Sequence, residues 1–193
     1  MIRGKKSVLR DDHNSQITNH KSAAGGFHLR SIRPEDFEAL HRLDQLCFEP
    51  GIAYSRQELL GFLGLPAGEG VVAEVEENAE RKLAGFALGA LADRRIGRVI
   101  TLDVAPQLRR RGVGRALLTE LLLRLTRAGA RRAILEVDAG NTGAIAFYRR
   151  FGFRHRRRIP NYYAPGRTAV EMELFLEPPP ELTASPSAAI LNQ

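Results

Sequence analysis

Between Thr101 and Ala116 the chain reads T-L-D-V-A-P-Q-L-R-R-R-G-V-G-R-A, and this stretch carries the most chemistry in the sequence. Val99 to Val104 is an apolar run that predicts a buried strand, ended by Ala105-Pro106. Arg109, Arg110 and Arg111 follow, then Gly112 and Gly114, and then an amphipathic helix begins. A glycine-bearing loop that leads from a strand into a helix N-terminus is suited to phosphate. Its backbone N–H groups point outward, and the helix dipole adds positive potential. Gly112 and Gly114 let an anion approach the backbone closely. Arg115 and the three loop arginines supply guanidinium groups that match phosphate oxygens. The alternative is an ordinary basic turn. It is not a Walker loop, because no Gly-Lys-Ser/Thr follows, and G-V-G lacks the third glycine of a dinucleotide fingerprint.

Glu136 is the second candidate, in the apolar strand A-I-L-E-V. A carboxylate there is costly unless it faces a cleft, and burial raises its pKa toward that of a useful base. The alternatives are a Glu on an open sheet face, or one paired with an arginine. Tyr162 and Tyr163, in I-P-N-Y-Y, are two adjacent aromatic rings with hydroxyls, each able to make ring contacts and a hydrogen bond. They would equally suit an exposed turn packed on the domain. Cys47, the single cysteine, lies on an apolar helix face and reads as a structural thiol. No two His or Cys have metal-ligand spacing, so no metal is expected.

Arg109-x-x-Gly112-x-Gly114 after a strand resembles the acyl-CoA signature of the GNAT acetyltransferases, Q/R-x-x-G-x-G/A. L-E-V-D-A-G-N-T-G-A-I-A-F-Y-R-R-F-G-F, Leu135 to Phe153, resembles the second cofactor-side motif of the same family. The pattern is most like the RimI type, the N-alpha-acetyltransferases of ribosomal proteins. The resemblance implies an acetyl-CoA-dependent N-acetyltransferase that works by direct attack of an amine within a ternary complex. It implies that Leu102, Asp103 and Val104 present backbone groups to the pantetheine arm, on a strand splayed at a bulge. It implies that Arg109, Arg110, Arg111, Gly112, Val113, Gly114 and Arg115 hold the pyrophosphate. Asn141 matches an asparagine that bonds the cofactor arm, although Asn is also a good helix N-cap. Tyr148 matches a tyrosine taken as general acid, the alternative being a packed aromatic. Glu136, twelve positions before Tyr148, matches the proposed base. Tyr162 and Tyr163 match a pair that lines the acceptor groove. The implied acceptor is a protein N-terminal α-amino group, including that of a ribosomal protein. The rivals are a GNAT enzyme acting on a small amine, and a CoA- or RNA-binding protein without turnover. Two departures bear on the acceptor. Asp138 and Gly140 replace a basic residue and a serine of the RimI-type motif, and F-E-P-G-I-A-Y-S replaces its F-P-W-S.

These residues need a scaffold, and 193 residues suffice for one domain. Hydrophobic content of 44% and charged content of 26% fit a globular chain. Residues 1–26 read as a disordered polar leader without the apolar core of a signal peptide, which predicts a cytoplasmic protein. Residues 27–177 read as the catalytic domain, and 178–193 as a disordered Ser/Ala/Pro-rich tail. No apolar run is long enough to predict a membrane helix.

Within the domain the predicted order is β-α-α-β-β-β-α-β-α-β-β. It begins with an edge strand from Phe27 and a helix carrying Phe37, Leu40, Leu43, Leu46 and Cys47 on one stripe. A second helix from a Ser55/Glu58 capping box to Leu63 follows. A turn at Gly64–Gly70 leads to three antiparallel strands, Val71–Glu76, Leu83–Leu91 and Ile96–Val104, with a turn at Glu77–Arg81. Then come the helix after Gly112, a strand Ala133–Asp138, and a helix Thr142–Arg150. A strand Gly152–Arg158, the loop I-P-N-Y-Y-A-P-G and a final strand complete it. That order predicts an α/β GNAT fold, with a mixed and mostly antiparallel sheet flanked by helices on both faces. Net charge is +7, and 17 arginines lie between Arg94 and Arg158. This basic half suits a polyanion, but no nucleic-acid-binding motif accompanies it.

Overall fold

The computed structural model describes residues 26–77, 80–93 and 95–177. The predicted leader up to residue 25 and the tail from 178 lie outside them. The elements run β1 Phe27–Ser31, α1 Phe37–Cys47, α2 Arg56–Leu63, β2 Gly68–Glu77, β3 Glu80–Asp93, β4 Ile96–Val104 and α3 Val113–Arg127. They continue with β5 Arg132–Asp138, α4 Thr142–Arg150, β6 Arg154–Ala164 and β7 Arg167–Phe175. The seven strands form one sheet in the order β1-β2-β3-β4-β5-β7-β6.

Every neighbouring pair is antiparallel except β4 and β5. These two are joined through α3, as a parallel pair requires. Their pairing covers only Ile96–Arg98 against Arg132–Ile134. Past that point the strands part. On the other side of β4 the register with β3 jumps, so that Leu88 faces Thr101 and Gly89 faces Val99, leaving Ile100 as an extra residue. A bulge of this kind bends its strand and re-aims the side chains after it. Val99 therefore joins the core under α3, while Ile100 belongs to the core under α1 and α2.

The α3 core is the larger. Leu117, Leu118, Leu121 and Leu125 of α3 are fully buried against β2, β3 and β4. Each such leucine contributes about 1.5–3 kcal/mol relative to an exposed one. The undersides of β5 and β7 supply Leu135, Val137, Val170 and Met172 to the same core, and α4 packs there through Ile145, Phe147 and Tyr148. On the opposite face, Leu40, Leu43 and Leu59 cover Val72, Phe86 and Leu88, and no residue of β5, β6 or β7 takes part. That part of the face carries charge: Glu136 of β5, Glu171 and Glu173 of β7, and the arginines that meet them.

The predicted order is the observed one, with four local corrections. Leu46 is 62% exposed rather than part of the buried stripe of α1, and Asp44 is buried instead. β2 begins at Gly68, inside the predicted turn. β3 begins at Glu80, shortening the next turn. The segment I-P-N-Y-Y-A is not a loop. It continues β6, pairing with β7 through an irregular register between Ile159 and Ala164, with Asn161 at φ 54°. The Ser55/Glu58 capping box forms as predicted, with the Glu58 amide on Ser55 Oγ and the Ser55 amide on Glu58 Oε2. Among the described residues, no helix is long and apolar enough to cross a membrane.

Candidate active site

The parting of β4 and β5 opens a cleft of about 2250 Å³ that runs from the N-terminus of α3 to β6. Twelve of the fifteen predicted site residues line it: Leu102, Val104, Arg109, Arg110, Gly112, Gly114, Arg115, Glu136, Asn141, Tyr148, Tyr162 and Tyr163. The other three do not. Val113 turns its side chain into the core, Asp103 is buried beneath the floor, and Arg111 projects elsewhere, exposed.

At one end Gly112 caps α3 in the left-handed region, at φ 85°. Only a residue without Cβ adopts this freely. The first amide to find an acceptor in α3 is Ala116, on Gly112 O at 3.0 Å. The amides of 113–115 are thus left facing outward. Gly114 lies over Val104, and a Cβ there would meet Val104 Cγ2 at an ordinary 3.4 Å. Arg110 is itself left-handed, at φ 62°, which turns the loop out beside these amides. Arg109 folds back, donating from Nε to Val104 O at 3.1 Å and closing the loop onto β4.

Asn141 caps α4, its Oδ1 accepting from the Ala144 amide at 3.0 Å. An asparagine that caps in this way still has its side-chain NH2 to donate. The two readings of Asn141 are therefore compatible.

In the middle of the cleft stand Tyr148 and Glu136. The Tyr148 ring packs edge-on against Phe147 and Phe153, at 5.3 and 5.7 Å. Burial pushes its phenol well up, and Asp103 and Tyr163 add to this, so it stays protonated. Glu136 is nearly buried and pairs with Arg98, Nη2 to Oε2, at 2.7 Å. Burial pushes its carboxyl up while Arg98 pulls it down, and burial prevails. The pairing with an arginine and the cleft position, alternatives on sequence grounds, are both present.

At the far end Tyr162 and Tyr163 meet edge to face at 4.9 Å. Tyr54, from the segment between α1 and α2, completes this wall, donating its hydroxyl to Ile100 O at 3.2 Å. Sequence reasoning missed Tyr54 and Arg98. A lone cation in the strand I-G-R-V-I-T-L was the available signal for Arg98. Asp138, one of the two departures from the RimI-type motif, accepts from Arg167 Nε at 2.6 Å. Arg167 also reaches Glu49 at 3.1 Å, so it braces β5 and β7 against the segment that leaves α1.

Beneath the floor Asp103 accepts from Thr101 Oγ1 at 2.6 Å, and its second oxygen has no partner among the described residues. Burial raises its carboxyl well above the usual range, and Asp44 adds to this. Cys47 points its sulfur at Val104 O, 3.4 Å away, and burial raises its thiol too. A raised thiol is a poor nucleophile, which agrees with a structural role.

A cleft between two splayed strands, ending on the free amides of a helix and holding a buried carboxylate and a phenol, defines an acyl-CoA-dependent transferase. Comparison with known proteins gives the same class. The sequence profile of the Acetyltransferase (GNAT) family matches residues 37–153, and the chain belongs to that family. An uncharacterised N-acetyltransferase of Methanocaldococcus jannaschii is 30% identical over 145 residues, 75% of this chain and 88% of the relative. The structure of Ard1 from Thermoplasma volcanium is similar at a TM-score of 0.69 and 27% identity, covering 79% of this chain and 99% of that one. The ribosomal-protein-S18-alanine N-acetyltransferase of Escherichia coli shares the fold at a TM-score of 0.67 and 24% identity, covering 85% of this chain and 99% of that one. The protein is a GNAT N-acetyltransferase, a family whose acyl donor is acetyl-CoA.

Proposed function

We propose that the chain acetylates the N-terminal α-amino group of a peptide or protein, in the cytoplasm, by direct attack within a ternary complex. Bound acetyl-CoA supplies an activated acetyl thioester. The amides of 113–115 and the guanidinium groups of Arg110 and Arg115 hold its pyrophosphate. The β4 backbone from Leu102 to Val104, unpaired on the β5 side, and the Asn141 amide hold its pantetheine arm. Glu136 takes the proton from the attacking amine. An α-amine has a pKa near 8, so a carboxylate moved part of the way toward neutrality suffices. Tyr148, kept protonated, gives its proton to the departing thiolate. Cys47 lines the cleft, but burial raises its thiol, so among the described residues no activated nucleophile faces the thioester and an acyl-enzyme has no role.

The observation that carries the acceptor assignment is the open end of the cleft beyond Glu136, walled by Tyr54, Tyr162 and Tyr163. Tyrosine walls grip a peptide by ring contact and by hydroxyls that meet its backbone. The RimI-type motif adds ribosomal-protein N-termini to the acceptors to be tried. Acetyl transfer to a panel of N-terminal peptides and small amines, read by mass spectrometry, tests the reading. The expected product is a peptide acetylated at its α-amine. Transfer to small amines alone would overturn the acceptor assignment and leave the donor site intact.

A further inference from the structure

Arg98 stands on β4 just where pairing with β5 ends. One nitrogen, Nη2, lies 2.7 Å from Oε2 of Glu136 on β5 and 3.0 Å from the hydroxyl of Tyr162 on β6. A single guanidinium thus joins three strands of the cleft wall. We propose that Arg98 is a positioning residue for acetyl transfer, fixing the Glu136 carboxylate toward the amine and tying it to the tyrosine that grips the acceptor. The inference rests on Glu136 being the base.

The surroundings show why this cation matters. Glu171, opposite Glu136 on β7, is taken by Arg156 and Arg157 of β6. Asp138, next on the same face of β5, is taken by Arg167. Tyr162 and Tyr163 of β6 bring no charge at neutral pH, and burial keeps both protonated. Arg157 acts on Glu136 from a distance but is bonded to Glu171. Arg98 is therefore the cation in direct contact with Glu136. Without it, a nearly buried carboxylate would lose its counter-charge and take up a proton. A protonated Glu136 cannot accept one from the amine. Lysine would keep the charge, but on a compact, strongly hydrated ammonium that is costlier to hold in a partly buried site than the guanidinium.

The test uses the full chain, acetyl-CoA and the best acceptor peptide of the wild type. Arg98→Met should lower kcat at pH 7 at least tenfold while leaving the KM for acetyl-CoA unchanged. The ratio of variant to wild-type kcat should climb with pH, to within about threefold at pH 9, because higher pH re-ionises Glu136. The ionisation of the acceptor amine cancels in that ratio. Arg98→Gln removes the charge but keeps a donor to Tyr162, and should show the same climbing ratio if the apolar variant folds poorly. Tyr162→Phe cuts the other arm and should raise the acceptor KM with an unchanged pH profile. A variant-to-wild-type ratio that stays flat with pH, or an unchanged kcat, overturns the role of Arg98. A wild type that transfers to no amine overturns the functional reading with it, so the two failures are distinct.

Discussion

Replacing Tyr148 by Phe isolates one oxygen atom. The ring stays, with its edge contacts to Phe147 and Phe153. Among the described residues no group hydrogen-bonds the hydroxyl, so its loss breaks no bond of the folded state. The stability change should stay within about 0.5 kcal/mol, which for a domain of this size is under about 2 °C in Tm. Catalysis should suffer far more. A positioned general acid contributes about 10²–10⁴-fold, or about 2.7–5.4 kcal/mol of barrier. The leaving group sets the value within that range. A thiolate whose acid has a pKa near 8.5 departs tolerably well unaided, which argues for the lower end, about 10²-fold. The partly buried position of the phenol argues against a smaller value, because a charge that develops beside packed aromatic rings is costly without a donor. The assay is thiol release at saturating acetyl-CoA against acceptor concentration, with a thermal melt of the same sample. A kcat within threefold of wild type in a protein of unchanged Tm would refute the general-acid role. So would a loss that falls entirely on the acetyl-CoA KM.

Four further outcomes follow from the geometry. Gly112→Ala puts a side chain at φ 85°, a strain of about 1–2 kcal/mol that is relieved by turning the free amides of 113–115 away. Its acetyl-CoA KM should rise at least tenfold in steady-state kinetics, whereas Gly114→Ala, with ordinary contacts for its Cβ, should stay within about twofold. Asn141→Asp keeps the oxygen that caps α4 but loses the NH2 donor, so isothermal titration should show weaker acetyl-CoA binding at unchanged Tm. Asn141→Ala should cost about 1 kcal/mol of stability as well. Glu136→Gln should abolish most turnover, and the wild-type acid limb should lie above the ordinary glutamate range, because burial raises this carboxyl. Burial raises the Asp103 carboxyl in the folded state well above its value in the unfolded chain. Stability is therefore lost as pH rises from about 3.9 through the raised folded value, and the deficit persists above it. Asp103→Asn keeps the acceptor for Thr101 without the charge. In urea titrations it should be more stable than wild type at pH 8, with the gap closing toward pH 4.

What could be read from the sequence depended on how local its cause is. The loop from Arg109 to Arg115 and the cap at Asn141 are short-range features, fixed by glycine, arginine and asparagine chemistry within a few residues, and both stand where the pattern put them. The helices α3 and α4 follow from apolar spacing alone. The tyrosines of I-P-N-Y-Y were legible as candidates but not as strand, since Pro160 and Asn161 signal a turn and the register with β7 is interrupted from Ile159 to Ala164. The faces of β4 have a non-local cause. One extra residue at Ile100, visible only in the register with β3, shifts Thr101 and Asp103 to the α1 side and buries the carboxylate. Arg98 was hidden differently. Among 17 arginines in that half of the chain, a further one carries little signal. Its meaning comes from three strands brought side by side, with Glu136 and Tyr162 far away in sequence. The sequence does explain why the cation is tolerated there: β5 and β7 alternate charge with apolar residues and β6 opens R-H-R-R-R, so the face that lacks a helix cover is already built for ion pairs. Glu136, the proposed base, is embedded in that network, where burial raises its carboxyl and the contact with Arg98 opposes the rise.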